Sequence, residues 1–391
     1  MNNISGKAAI VGIGMSQFSR NSGKTELRAS CEVIRDALDD AGLVPLDIDG
    51  LVKQTDDASD EHAVTSSMGM DNLTFFGECR WDGAPCAMVL RAAVGVVAGV
   101  ANYVVVYRAV NGASGVRMIP SMRTSGQMST ADLLQWTFHA PFGHVSEAGR
   151  VAMVARRYMH EFGATSKQFG CVTTVCREHG AKNPNGLYYN KPITIEDHQK
   201  SQSIVEPLKA LDCHEEADCA IALVITTAEK ARDLRQKPVY ILGAAQTMVP
   251  ETEEKNTYYR PDIAELAEVR ESGKRTFEMA GVGTKDIDVA QLDDSYSPFV
   301  PMQLEALGFC GRGEGAAFCE GGDRIRIGGT LPMNTSGGSL GEGYIYGMNH
   351  IVEGARQIRG TSPNQVKDAG LSLVATGAGG PASALILGGS R

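Results

Sequence analysis

Apolar residues recur along this chain in two rhythms. A short, nearly continuous apolar run between turn formers predicts a buried strand, and apolar positions spaced three and four apart predict one face of a helix. By those rules KAAIVGIG (7–14) is a strand, ELRASCEVIRDALDDAGL (26–43) a helix and DIDGLVKQ (47–54) a strand. The same order returns in PVYILGAA (238–245), AELAEVRESGKRTFEMAGV (264–282) and DIDVAQLDD (286–294). AGLVPLDID (41–49) and AGVGTKDID (280–288) even share Ala-Gly and Asp-Ile-Asp at one offset of 239 residues. Each half continues into a long small-residue helix (84–99 and about 338–358) and a closing apolar strand, YVVVY (103–107) or LSLVAT (371–376). The chain therefore reads as an internal duplication.

Strands alternating with helices predict mostly parallel sheets covered on both faces, and the duplication predicts two such sheets sharing a helical layer, five layers in all. Between YVVVY and a further strand, CAIALVIT (219–226), lies an insertion at about 111–200 whose helical patterns are EAGRVAMVARRYMHEFG (147–163) and SKQFGCVTTVCREHGAKN (166–183). The seam falls in KARDLRQKP (230–238), dividing the chain into halves 1–235 and 236–391. VGIG after the first strand lacks the third glycine of a dinucleotide fingerprint, position 17 being Gln, so a short tight turn is expected there.

Composition narrows the function. The 391 residues, 43% hydrophobic and 21% charged, are enough for a large core. A net charge of −9 without a basic run argues against nucleic acid. The longest apolar run, AAVGVVAGVA (92–101), is far shorter than the roughly 20 residues of a membrane span. The N-terminal stretch has no signal-peptide pattern, so a cytoplasmic location is expected. Nine cysteines, an odd number with no CxxC pair, predict free thiols. Cys213 beside His214 lacks a second ligand pair at matching spacing, so no metal site is expected.

In an α/β protein a ligand lies beyond the carboxyl ends of strands, where Gly-rich turns enter helices. RWDGAPCAMV (80–89), QLDDSYSPF (291–299), GGSLGEGYIYGMN (337–349) and VATGAGGPASA (374–384) meet that description. Here the chain resembles the thiolase superfamily, in its lipid-transfer-protein branch, and within that the steroid side-chain retro-aldolases acting on acyl-CoA thioesters. The resemblance spans essentially the whole chain and rests on YRAVN (107–111), ARRYMHEFGATS (155–166), NPNGLYYNKPITIEDHQ (183–199), EPLKALDC (206–213), PMQLEALGFCGRGE (301–314), LPMNTSGGSLGEGYIYGMN (331–349) and EGARQIRGTSPNQV (353–366). It implies a duplicated α-β-α-β-α thiolase fold with a helical insertion.

The departures from the thiolase pattern bear on chemistry. The position of the thiolase nucleophile falls on Gly83, so no thioester can form there; Cys86, one turn further in, is a pocket residue or a small buried core residue. The Gly-His-Pro histidine position falls on Tyr344, and the second catalytic cysteine near Gly377. Backbone amides at Gly83 and in the Gly377–Gly380 turn, Gly379 and Gly380 among them, are the expected holders of a thioester carbonyl oxygen. A retro-aldol cleavage needs no covalent intermediate, only a base and an enolate holder. Tyr344 matches a tyrosine of the retro-aldolases; their second tyrosine falls on Asp293. The candidate bases are Asp293, raised by burial against Asp294, and Tyr296, since a phenol near pKa 10 needs help at neutral pH. Tyr346, Asp294, Cys86 and His144 are expected around the pocket.

Structural readings stand beside these. Tyr344 can be a packed, hydrogen-bonded phenol, Asp293 and Asp294 caps for a helix starting near Pro298, His139 and His144 lining, His350 helix-facing, and Glu314 loop architecture. The function expected is retro-aldol cleavage of a β-hydroxyacyl-CoA with a bulky, steroid-like remainder. The alternatives are a thiolase-type acyltransferase on a β-ketoacyl-CoA such as an aromatic acylsuccinyl-CoA, and a non-catalytic acyl-CoA or lipid-binding subunit. The resemblance also implies a homodimer and a small partner with a zinc ribbon and an oligonucleotide-binding-type fold, together a heterotetramer. The zinc belongs to that partner, and coenzyme A enters as the substrate's thioester, so the chain needs no cofactor of its own.

Overall fold

The structure is a computed structural model that describes residues 4–80, 83–115, 137–250 and 260–389. Residues 116–136 of the expected insertion and 81–82 of the RWDGAPCAMV segment lie outside the described residues. The strands are β1 (Ala8–Met15), β2 (Gly50–Gln54), β3 (Phe75–Cys79), β4 (Tyr103–Asn111), β5 (Ser203–Val205), β6 (Leu208–Lys209), β7 (Asp218–Thr227), β8 (Val239–Thr247), β9 (Val289–Leu292), β10 (Leu371–Thr376) and β11 (Ala382–Gly388). The principal helices are α1 (Glu26–Ala41), α2 (Glu61–Met68), α3 (Ala84–Val97), α4 (Glu147–Phe162), α5 (Ser166–Gly180), α6 (Ala267–Ala280), α7 (Phe299–Ala306), α8 (Gly338–Gly341) and α9 (Met348–Arg359).

The duplication is visible down to its hydrogen bonds. Helices α1 and α6 end at Gly42 and Gly281, with φ of 77° and 71°, left-handed conformations that glycine adopts without strain. Beyond each, an aspartate closes a tight turn: Asp47 accepts from Val44 N and Asp286 from Gly283 N, both at 2.8 Å. Asp49 then accepts from the amides of Asn102 and Tyr103, and Asp288 from those of Gly370 and Leu371. The shared Ala-Gly and Asp-Ile-Asp residues thus do the same work in each half.

Strand order is β3-β2-β4-β7-β1-β8-β11-β10-β9, five strands from the first half and four from the second. The halves join edge to edge where β1 meets β8 through only two residue pairs, Ala9–Tyr240 and Ile10–Val239. Alternation along the strands separates the core into layers. Ala9 and Val11 face α1; Ile10 faces a cluster built on α3 and α9, which also receives Ile241, Val374, Leu385 and Leu387 from the second half. Ala384 and Ile386 point the other way, into the cluster of α4, α5 and α7. Two strand layers and three helical layers result.

Three expectations need correction. The strand pairings are not mostly parallel: β2–β3, β2–β4 and β9–β10 are, while the others are antiparallel, because β7 and β11 return directly beside their predecessors. VGIG is no turn but the interior of β1, where a Cβ on Gly12 would lie 2.1 Å from Ala37 O and one on Gly14 1.9 Å from Val33 O. Those glycines let α1 rest on the strand. The helix expected at about 338–358 is two, α8 and α9, parted by Glu342–Gly347. Among the described residues no helix is long and apolar enough to cross a membrane.

Candidate active site

The loop between α8 and α9 is pinned from beneath by buried polar groups. Asp294, just after β9, accepts from Ser339 N at 2.7 Å, Leu340 N at 3.2 Å and His350 Nε2 at 3.0 Å. This is possible because residue 338 is glycine, with φ of 60°; a Cβ there would lie 2.3 Å from Asp294 Oδ2. Burial pushes the Asp294 carboxyl up, but the hydrogen bond and charge of His350 outweigh it and hold it below the ordinary range. Burial lowers His350 in turn, and the bond to Asp294 reverses this and raises it. Two residues before Tyr344, buried Glu342 accepts from Asn183 Nδ2, Ser336 Oγ and Asn349 Nδ2. Burial raises its carboxyl to about 7 against those bonds.

Above this floor four rings stand in a row. Tyr296 presents its edge to His214, with centroids 5.4 Å apart, and His214 stacks on Tyr344 at 3.7 Å. Tyr344 meets Tyr346 at 4.6 Å. The Arg108 guanidinium covers the far face of Tyr346, 4.0 Å from its centroid. Arg108 is buried and faces Asp57 across 3.3 Å; burial raises Asp57 to about 7, and Arg108 pulls it back. Tyr346 itself holds φ of 56°, unusual for a bulky residue.

Two cavities adjoin the row. One, of about 340 Å³, is lined by Tyr344 and Tyr346 with Arg108, Asn111, Glu216 and Asp56. The other, of about 410 Å³, is lined by Tyr296 and His214 with Cys213, Arg177, Tyr188 and Leu340. Both fall within the size range of small-molecule sites.

The other sequence-derived residues fall in varied places. Asp293 Oδ1 accepts from Ser295 N at 2.9 Å, and Oδ2 from Gly377 N at 3.2 Å and Ala378 N at 3.0 Å. It lines neither cavity and holds the β10–β11 turn in place. Those two amides are therefore already engaged. Gly83 begins α3, and a Cβ there would lie 2.4 Å from Pro381 O. Gly377 packs directly on it, its own added Cβ falling 2.7 Å from Gly83 N. Gly380, by contrast, has nothing within 4 Å of that position.

Three pocket assignments are corrected. Asp294 is fully buried under the loop and caps α8, not the helix after Pro298. Cys86 is fully buried with Sγ towards Val374 O, and burial lifts its thiol to about 12 against the pull of Thr376 and Ser383. His144 stands edge-on to His139 in a separate groove with Arg156, Arg157 and His160. His350, read as helix-facing, is the buried partner of Asp294, and Glu314 accepts from Gly311 N, within its own loop. Among the described residues no cluster could hold a metal ion. Sequence reading missed His214 and Arg108; only their contacts with tyrosines from distant segments mark them.

Residues 250–388 match the family described as Thiolase C-terminal domain-like. The 17-hydroxy-3-oxo-4-pregnene-20-carboxyl-CoA lyase of Mycobacterium tuberculosis is 49% identical over 98% of this chain and all of its own. The chain belongs to the thiolase superfamily, in its steroid side-chain-cleaving aldolase branch. Within this branch, the steroid side-chain-cleaving aldolase of Thermomonospora curvata is 46% identical over the full length of both chains. A solved aldolase structure named Ltp2-ChsH2(DUF35) superposes with a TM-score of 0.95 at 46% identity, covering both chains completely. An acetyl-CoA acetyltransferase from Syntrophomonas wolfei, 12% identical with a TM-score of 0.69, shares the thiolase fold.

Proposed function

We propose that this protein is a carbon–carbon lyase that splits a β-hydroxyacyl-CoA by retro-aldol reaction, releasing a short acyl-CoA and a bulky ketone of steroid type. The observation that carries this reading is the pairing of a tyrosine row with a filled nucleophile position. Tyr344 lines the 340 Å³ cavity and stacks on His214, and no side chain fits at Gly83 unless the Pro381 carbonyl moves. A thiolase-type acyl transfer through that position is therefore disfavoured, and Cys86, buried and protonated, does not replace it. In the proposed mechanism the Tyr344 hydroxyl stabilises the enolate as the Cα–Cβ bond breaks, then supplies a proton to carbon. The amides of Gly379 and Gly380 hold the thioester oxygen, with Gly83 at the start of α3 beside them. Asp293 acts by fixing their turn, and Tyr296 and Tyr346 shape the walls.

The proposed assembly is a cytoplasmic homodimer joined by a small zinc-ribbon, oligonucleotide-binding-fold partner that helps hold coenzyme A; the solved relative is named with a DUF35 component. The test is to co-express the chain with such a partner and supply the β-hydroxyacyl-CoA for which the mycobacterial relative is named. Cleavage without free CoA is expected, and Tyr344→Phe should lower kcat about 10²- to 10⁴-fold with an unchanged Tm. Cleavage confined to β-ketoacyl-CoA and dependent on free CoA would overturn the proposal, as would binding with no turnover.

A further inference from the structure

Retro-aldol cleavage requires a group that takes the β-hydroxyl proton, and four carboxylates near the tyrosine row are already committed. Asp293 holds three backbone amides and Asp294 is buried against His350. Glu215 is bound by Arg20 at 2.7 Å and by the Tyr188 hydroxyl at 2.5 Å. Asp212 accepts from the Ser297 hydroxyl and His198.

His214 is differently placed. Its Nδ1 lies 2.9 Å from Ser295 O, and its backbone N donates to the same oxygen at 3.0 Å. A carbonyl oxygen only accepts, so Nδ1 carries the proton, and Nε2 is the ring nitrogen that can accept one. The half-buried ring lines the 410 Å³ cavity, meets Tyr296 nearly at right angles and stacks on Tyr344. It thus has a fixed tautomer, a fixed plane and direct access to a ligand space, immediately beside the proposed enolate holder.

We propose that His214 is the general base of the reaction, a role that rests on the retro-aldol reading. Nε2 takes the β-hydroxyl proton; the O–H electron pair forms the ketone C=O, and the Cα–Cβ pair passes to the thioester as its enolate. Tyr344 protonates that Cα. Water in the cavity returns a proton to the phenolate and receives one from the imidazolium, so the cycle closes with no net change in the enzyme.

The charged and titratable groups around His214 come from several elements. Tyr344 and Tyr346 lie on the α8–α9 loop, Tyr296, Asp293 and Asp294 follow β9, and Arg177 is on α5 with Tyr188 beyond it. Cys213, Asp212, Glu215 and Glu216 adjoin it in sequence, and Glu147 on α4 acts on Cys213. The carboxylates among them keep their partners in any variant that alters only the ring.

His214→Asn keeps an N–H for Ser295 O and removes the base; His214→Phe keeps the stack and removes the base. In the partner-bound enzyme, both are expected to lower kcat by about 10²- to 10⁴-fold with little change in KM. Added imidazole should restore part of the rate to His214→Gly. No rescue of His214→Gly by imidazole, or kcat within about tenfold of wild type in either folded variant, overturns the assignment and leaves His214 a positioning residue. Failure of the retro-aldol reading itself is seen separately, because the wild type would then cleave no β-hydroxyacyl-CoA.

Discussion

Tyr344 and Tyr346 are two residues apart, yet their environments assign them different work. Tyr344 is stacked on an imidazole that lines a cavity, whereas Tyr346 touches both Tyr344 and a guanidinium on an unusual backbone conformation. A cation over the ring face favours the ring as a surface. Tyr346→Phe keeps that surface and loses only the hydroxyl. Its kcat/KM is expected to stay within about tenfold of wild type, under about 1.4 kcal/mol of transition-state stabilisation. A loss as deep as that of Tyr344→Phe would make Tyr346 a participant in the chemistry. Tyr344 was legible in the sequence because it falls at the Gly-His-Pro histidine position of the thiolases. The partners that distinguish it from Tyr346 come from residues 108 and 214, and no spacing rule connects those positions to 344.

At the scale of elements, the α8–α9 loop depends on the buried Asp294–His350 pair, which ties the end of β9 to both helices. Asp294 has a folded pKa below its ordinary 3.8, so its contribution is complete above 3.8 and is lost as pH falls through the folded value. His350 has one above 6.5, so its contribution is complete below 6.5 and is lost as pH rises through the folded value. His350→Asn leaves a buried carboxylate without its cation and is expected to cost about 3–5 kcal/mol. In denaturant titrations from about pH 5 to 9, the gap to wild type should be widest at the acid end and narrow upwards. A gap independent of pH would refute the pairing as a charge interaction. The start of α3 gives a second case. Gly83→Cys places a side chain against the Pro381 carbonyl and should lower stability by about 1–3 kcal/mol without forming an acyl-enzyme, read by denaturation midpoint and intact mass. Acylation of the Gly83→Cys variant at unchanged stability would contradict that geometry.

The molecule as a whole is a duplication whose halves share a core. Helices α3 and α9 come one from each half, and both sit in a cluster that takes side chains from both groups of strands. The edge contact between β1 and β8 is narrow by comparison. Although the proposed seam near residue 235 divides the sequence cleanly, neither half encloses its own helical layer. The fragment 1–235, expressed alone, is expected to lack a cooperative thermal transition by circular dichroism, and the full chain to unfold in a single one. A sharp transition in the fragment would show that each half folds independently.

Much of the fold was legible along the chain, because helix and strand periods, glycine caps and the Ala-Gly and Asp-Ile-Asp repeats are local features that need only neighbouring residues to be recognised. The same local rules placed the Gly-rich loops, and the resemblance to the thiolase superfamily singled out Tyr344. They erred over VGIG and the 338–358 helix, where glycines serve close packing on Ala37 and Val33 or make room for Asp294. The β11 strand, which starts at the end of VATGAGGPASA and runs on to Gly388, went unrecognised because its pairing partners, β8 and β10, lie elsewhere in the sequence or beyond a glycine turn. Sequence by itself determined the repeated elements, the absence of a nucleophile at position 83 and the identity of the phenol at 344. Tertiary structure alone decided that Asp293 and Asp294 are occupied by backbone amides and His350, and that His214 stacks on Tyr344. Burial and ring contact depend on which distant surfaces meet, and that is settled only when the two halves close around α3 and α9.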